Sequence, residues 1–171
     1  MSMPSRPLSR RAALPRRQAI AYAAAALAPV LCAMLLGTWA VLPNLGWYAT
    51  LHRPSFRPPG WLDGPVWALL HLLMAWAFFR VLRRPDWMPD RPAAIRAFLV
   101  QIGLDVLWPF AFFAARSPKL GFAAILALLV AVVVCGRRFG QVERVAGWCL
   151  VPYGFWIGFA ALLNLSIAIR N

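Results

Sequence analysis

Acidic side chains are scarce in this chain. Five Asp and Glu stand against 18 Lys and Arg in 171 residues, and Glu143 is the single glutamate. That leaves no paired carboxylates for general acid–base work. There is no phosphate-cradling loop, no zinc-ligand spacing, and no nucleophile–base–orienter set. Ordinary hydrolysis by side chains is therefore not expected, and neither a metal site nor a required cofactor is. Cysteine is also sparse: Cys32, Cys135 and Cys149 lie in or near apolar runs, without metal-ligand spacing. They read as small membrane-embedded hydrophobes in preference to a disulfide pair. No internal repeat and no soluble domain is visible.

Apolar sequence fills the space. Hydrophobic residues make up 62% of the chain, too many for an ordinary soluble domain. Five runs approach or exceed the length that crosses a bilayer, about 20 residues each. They cover roughly 19–41, 62–82, 93–115, 119–136 and 146–169, the fourth being the shortest. The fold expected is an all-α integral membrane protein of five transmembrane helices. Residues 1–18 form a basic, flexible tail ahead of a membrane domain over 19–171. The net charge of +13 does not argue for nucleic acid, because the cations sit in tails and loops between spans. Alternate sides of the five spans carry 13 and 5 Lys and Arg. The positive-inside rule then places the N-terminus in the cytoplasm and the C-terminus outside, with a bacterial inner membrane favoured. Ser9-Arg10-Arg11 resembles a twin-arginine export signal, but an arginine anchor for the first span is the preferred reading.

Three faces carry chemistry. On the third span Gln101, Asp105, Trp108 and Phe112 recur at helical spacing and share a stripe. An ionisable group at that depth is costly and by default marks a site between helices; the plainer alternative is interhelical hydrogen bonding. On the second span Trp67, His71, Met74 and Phe78 share a face. His71 reads either as a packed histidine bonded to a carbonyl or neighbouring helix, or as a ligand contact or proton carrier. On the fifth span Trp148, Pro152 and Trp156 recur at steps of four, beside Tyr153 and above Asn164. Pro152 predicts a kink near the start of that helix. Ala33/Gly37 and Gly154/Gly158 are small-residue pairs suited to close helix contact or dimerisation. The first outer loop, rich in proline and aromatics (Trp47, Tyr48, Arg53, Phe56, Arg57, Trp61), predicts an ordered segment.

The order of these motifs resembles the TspO/MBR family, the tryptophan-rich sensory proteins related to the mitochondrial translocator protein. The residues carrying the resemblance are Trp47-Tyr48, Leu51, Pro54, Pro58-Pro59 and Trp61, then Gly64-Pro65 and Trp67. Gln101, Asp105, Trp108-Pro109 and Phe112-Phe113 follow, then Pro152-Tyr153, Trp156, Phe159-Ala160 and Leu163-Asn164. The likeness runs from about Gly46 to Asn171. This chain departs from the common pattern at Phe56, His71 and Asp105, where the family often has Trp, Tyr and Asn. No tyrosine precedes Arg170 within reach of the sterol-associated pattern.

The resemblance implies a five-helix bundle, often a homodimer, with a pocket closed by the first outer loop. It implies a sensor, receptor or transporter-like protein that binds tetrapyrroles such as porphyrin or haem. Trp67, Trp108, Phe112 and Trp156 are expected as flat apolar walls for a planar ligand. Trp47, Tyr48, Phe56, His71, Gln101, Asp105, Tyr153, Ala160 and Asn164 are expected around it, and His52, Arg53 and Arg57 to meet propionates. Two alternatives stand beside this reading. One is an enzyme of light-dependent porphyrin breakdown, using Trp67 and Trp156. The other is a proton-coupled exporter of small apolar compounds, using Asp105 and His71.

Overall fold

The computed structural model describes residues 15–171, and every described element is helical. Residues 1–14 of the expected tail, with Ser9-Arg10-Arg11, lie outside the described residues. Helix α1 spans Arg16–Val41 and continues through a 3-10 turn at Leu42–Asn44 into the short α2, Leu45–Thr50. Helix α3 covers Gly60–Leu82, and α4 covers Arg91–Pro109 and ends in a π turn at Phe110–Ala114. Helix α5 covers Pro118–Val142, α6 Arg144–Cys149 and α7 Val151–Arg170. Grouped by continuity, they make five segments long and apolar enough to cross a membrane.

Several boundaries differ from the sequence reading. Arg16, Arg17 and Gln18, assigned to the tail, form the first turn of α1. The fourth span is not the shortest: α5 has 25 residues, and its helix includes 137–142, read above as loop. Polar Arg137, Arg138 and Gln141 lowered the apparent hydropathy there without breaking the helix. The fifth span is broken where a kink was expected. Pro152 has no N–H to give the Trp148 carbonyl, so α6 stops and α7 begins at Val151. This break separates Trp148 from Trp156, which had been placed on one face.

The core is built from aromatic and small residues. Phe78 of α3 stacks on Phe98 of α4 with ring centroids 3.9 Å apart, and Phe139 of α5 adds a third nearly parallel ring 5.9 Å from Phe98. In lipid, helix association relies on such close packing in place of water exclusion. Both small-residue pairs face inward in part: a Cβ at Gly37 would meet Pro109 at 3.7 Å, and one at Gly154 would meet Val132 at 3.7 Å. Those two glycines therefore serve contacts within the chain. The proline- and aromatic-rich loop, 51–59, is pinned as expected. The His52 backbone N–H donates to Asn171 Oδ1 at 3.0 Å, and the Asn171 amide donates back to the His52 carbonyl at 3.3 Å.

Glu143 locks the opposite end. It accepts a bidentate pair from Arg80 Nε and Nη2, both at 2.6 Å, and Arg84 Nη2 lies 3.2 Å away. It also caps α6 by accepting from the Ala146 N–H at 3.1 Å. The hydrogen bonds from Arg80 hold its carboxyl below the usual carboxylate range, with Arg84 and the Ala146 N–H adding to the effect against the opposing influence of burial. The stabilisation is thus present above the unfolded carboxylate pKa and is lost as pH falls through the depressed folded value. Glu143→Gln should lower the unfolding free energy by about 1–3 kcal/mol at neutral pH. In detergent, the wild type should lose stability toward the variant's level below about pH 4. A variant as stable as the wild type at pH 7 would contradict the role of this lock.

Candidate ligand site between the helices

A cavity of about 460 Å³ lies between α1, α3, α4 and α7, with the 51–59 loop at its mouth. Its polar floor is a hydrogen-bonded chain linking three helices. His71 of α3 places Nδ1 2.8 Å from the Trp67 carbonyl, one turn back on its own helix, and Nε2 3.0 Å from Asp105 Oδ2 of α4. The Tyr153 hydroxyl of α7 donates to Asp105 Oδ1. Gln101 Nε2, one turn before Asp105, stands 3.4 Å from the Tyr153 oxygen. His71 and Asp105 are only 5% and 6% exposed, and Gln101 and Tyr153 are fully buried behind them.

The partners fix the protons. The Trp67 carbonyl can only accept, so His71 Nδ1 carries a hydrogen. One further proton is shared between His71 Nε2 and Asp105 Oδ2. The pair is net neutral wherever that proton sits, which suits a medium where an isolated charge is very costly. Both ring nitrogens are engaged, so His71 offers no free lone pair to a metal. A second polar link lies beside the first: Trp108 Nε1 donates to Asn164 Oδ1 at 3.2 Å, and the Asn164 amide donates to the Ala160 carbonyl at 2.9 Å.

Aromatic rings form the walls. Trp67 and Trp108 stack at 5.7 Å and 22°, and Trp156 meets Trp67 edge-on at 6.5 Å. The stacked pair leaves no ring-thick gap between its members, so a planar guest would lie against the pair and not between them. Phe112 is seated by contact from behind. A Cβ on Gly121 of α5 would fall 2.5 Å from Phe112 Cδ2, so only glycine admits this ring position. The π turn following Pro109 sets Phe112 and Phe113 together, 4.8 Å apart.

Of the residues expected at the site, Tyr48, Trp67, His71, Asp105, Trp108, Phe112, Trp156, Ala160 and Asn164 line the cavity. Tyr153 supports Asp105 from behind, and Gln101 in turn bonds to Tyr153. Trp47 packs on Phe112 at 5.7 Å. The loop residues are less central: Phe56 contacts Phe159, Arg53 lies over the Tyr48 ring at 5.3 Å, and neither these two nor His52 and Arg57 line the cavity. The sequence reading missed the α1 wall of Ala33, Met34, Gly37 and Thr38, and also Pro58, Gly60, Asp63 and Gly64 at the mouth. The Ala33/Gly37 pair signalled a close approach but not that a cavity adjoined it.

A model of the TspO/MBR family matches residues 25–170. The chain belongs to the TspO/MBR family. It is 34% identical over 134 residues to the tryptophan-rich protein TspO of Chlorobaculum tepidum, covering 78% of this chain and 85% of that one. It is 36% identical over 125 residues to the protein of the same name in Archaeoglobus fulgidus, covering 73% and 80%. It is 32% identical to the human translocator protein, covering 72% and 74%. With the five apolar segments, membership makes this an integral, multi-pass membrane protein and supports a membrane sensor or receptor role.

The Phe112 seat is testable. Gly121→Ala should displace the ring, alter the near-ultraviolet circular dichroism of the neighbouring Trp47 and Trp108, and cost about 1–3 kcal/mol through overpacking. Gly103→Ala, where a Cβ meets nothing within 4 Å, should be neutral or slightly stabilising. Equal behaviour of the two variants would remove the steric argument.

Proposed function

We propose that this cavity takes a planar tetrapyrrole, protoporphyrin IX or haem, and that the protein senses or carries it. The observation carrying the reading is the aromatic cavity itself, whose volume lies in the usual range for small-molecule sites. Trp156 Nε1 supports it: this buried donor has no acceptor among the described residues, a state that a bound acceptor group would relieve. Charge sets the orientation. The lining includes Asp63 and Asp105 but no Lys or Arg. Propionates would therefore stay at the mouth, near Arg53 and Arg57, with the macrocycle inward. Because His71 has no free nitrogen, binding would owe little to iron. In this reading the chain works as a homodimer in a bacterial inner membrane, N-terminus in the cytoplasm.

A titration of purified protein, followed by porphyrin absorbance and tryptophan quenching, tests this. Protoporphyrin IX and haem should bind with affinities within about tenfold of each other, iron ligation contributing little. Trp67→Phe/Trp156→Phe should weaken both. Arg53→Ala/Arg57→Ala should weaken both as well, more so at low salt where screening is least. Absence of saturable binding would overturn the proposal. Where binding is saturable, illumination of the bound complex separates carriage from breakdown.

The chain Tyr153–Asp105–His71 favours a second reading, proton-coupled export of a small apolar compound. It holds a proton shared between His71 and Asp105 at the cavity floor, which such transport would move. In proteoliposomes such transport should follow an imposed pH gradient and stop in Asp105→Asn. Transport indifferent to both would exclude it.

A further inference from the structure

A second concavity, of about 570 Å³, lies away from the tetrapyrrole cavity, along the outer side of α5, α6 and α7. Its origin is a close helix crossing. A Cβ at Gly147 of α6 would stand 2.9 Å from the Gly136 carbonyl oxygen and from Gly140 backbone atoms of α5, so only glycine lets α6 lie this near. Gly140 itself faces open space: a Cβ there would meet nothing within 4 Å. The hollow is floored by apolar residues such as Leu129, Val132 and Leu150, and Phe155, 78% exposed, stands at its side.

Arg137 and Arg144 close one end. Neither makes an ion pair among the described residues. The nearest acid in sequence, Glu143, is committed to Arg80 of α3 and to Arg84 just beyond its end. Trp148, 68% exposed, borders the same end, where an indole fits the headgroup level. Two unpaired cations at the end of an apolar groove, between membrane helices, complement a lipid with a negative head and an apolar tail. A second copy of this chain is a poor occupant. A two-fold contact through this face would bring the same arginines of both copies together at the same depth.

We propose that this groove is a site for an anionic phospholipid, its phosphate held by Arg137 and Arg144 and one acyl chain lying along the hollow beside Gly140. It is independent of what the central cavity binds.

Native mass spectrometry of delipidated protein, titrated with dioleoyl phosphatidylglycerol or dioleoyl phosphatidylcholine, tests it. The anionic lipid should bind preferentially, and Arg137→Ala/Arg144→Ala should reduce that preference by roughly tenfold or more. Gly140→Leu, which fills the groove and leaves the charge, should weaken both lipids. Lys119→Ala/Arg170→Ala removes two cations from elsewhere and should change nothing. An arginine variant that keeps the preference, or a control pair that loses it equally, overturns the proposal. If the variants do not fold, a phosphatidylglycerol with a diazirine tail can be photolysed on the unaltered protein. Label within 129–155 supports the site. Label confined elsewhere overturns it.

Discussion

The bundle depends on one buried contact, the carboxyl of Asp105 held between His71 and Tyr153. Three helices meet at this group, and each supplies a part that the others cannot replace. Outside water, an unpaired carboxyl at this depth would be prohibitively costly. The register of α3 against α4, and of α4 against α7, is therefore constrained to the few arrangements in which both oxygens are satisfied. Nearby apolar contacts are more forgiving, since a Leu can slide along a neighbour at modest cost. The same contact is the polar floor of the cavity, so a fold constraint and a recognition surface coincide in one residue.

Electrostatics divides the molecule into compartments. Three of the five acids are placed with care: one at the cavity floor, one at its mouth, and one in the α3–α6 lock. Basic residues stand in loops and toward the ends of helices. An anionic guest would thus be met by cations at the rim and by carboxyl groups within, which gives it a preferred way in. Glu143 performs a comparable sorting on the other side. By claiming Arg80 of α3 and Arg84 just after it, it leaves the arginines of the α5–α6 corner uncompensated.

Periodicity explains what was legible in the sequence. Helix count followed from run length, because a bilayer demands about 20 apolar residues regardless of detail. The stripe from Gln101 to Phe112 was readable because polar residues at helical spacing have few places to go in lipid. Pro152 marked the break in the last span by removing a backbone donor. The limits of that reading are equally physical. The pairing of Asp105 with both His71 and Tyr153 depends on how α3, α4 and α7 face one another, which no one-dimensional pattern encodes. The α1 wall was hidden because Ala33, Gly37 and their neighbours are small, and small residues mark tight packing and cavity edges alike. The length of α5 was underestimated because arginines near an interface reduce hydropathy while remaining good helix formers.

Phe112 faces the cavity, but its position is set by Gly121 on the far side of the ring, a residue outside the cavity lining. The shape of the site is thus under remote control. In a lineage, ligand preference can drift by exchange of a small residue that never touches the ligand, while every lining side chain stays the same. Comparing lining residues alone would score two such proteins as identical when their chambers differ by the tilt of a phenyl ring.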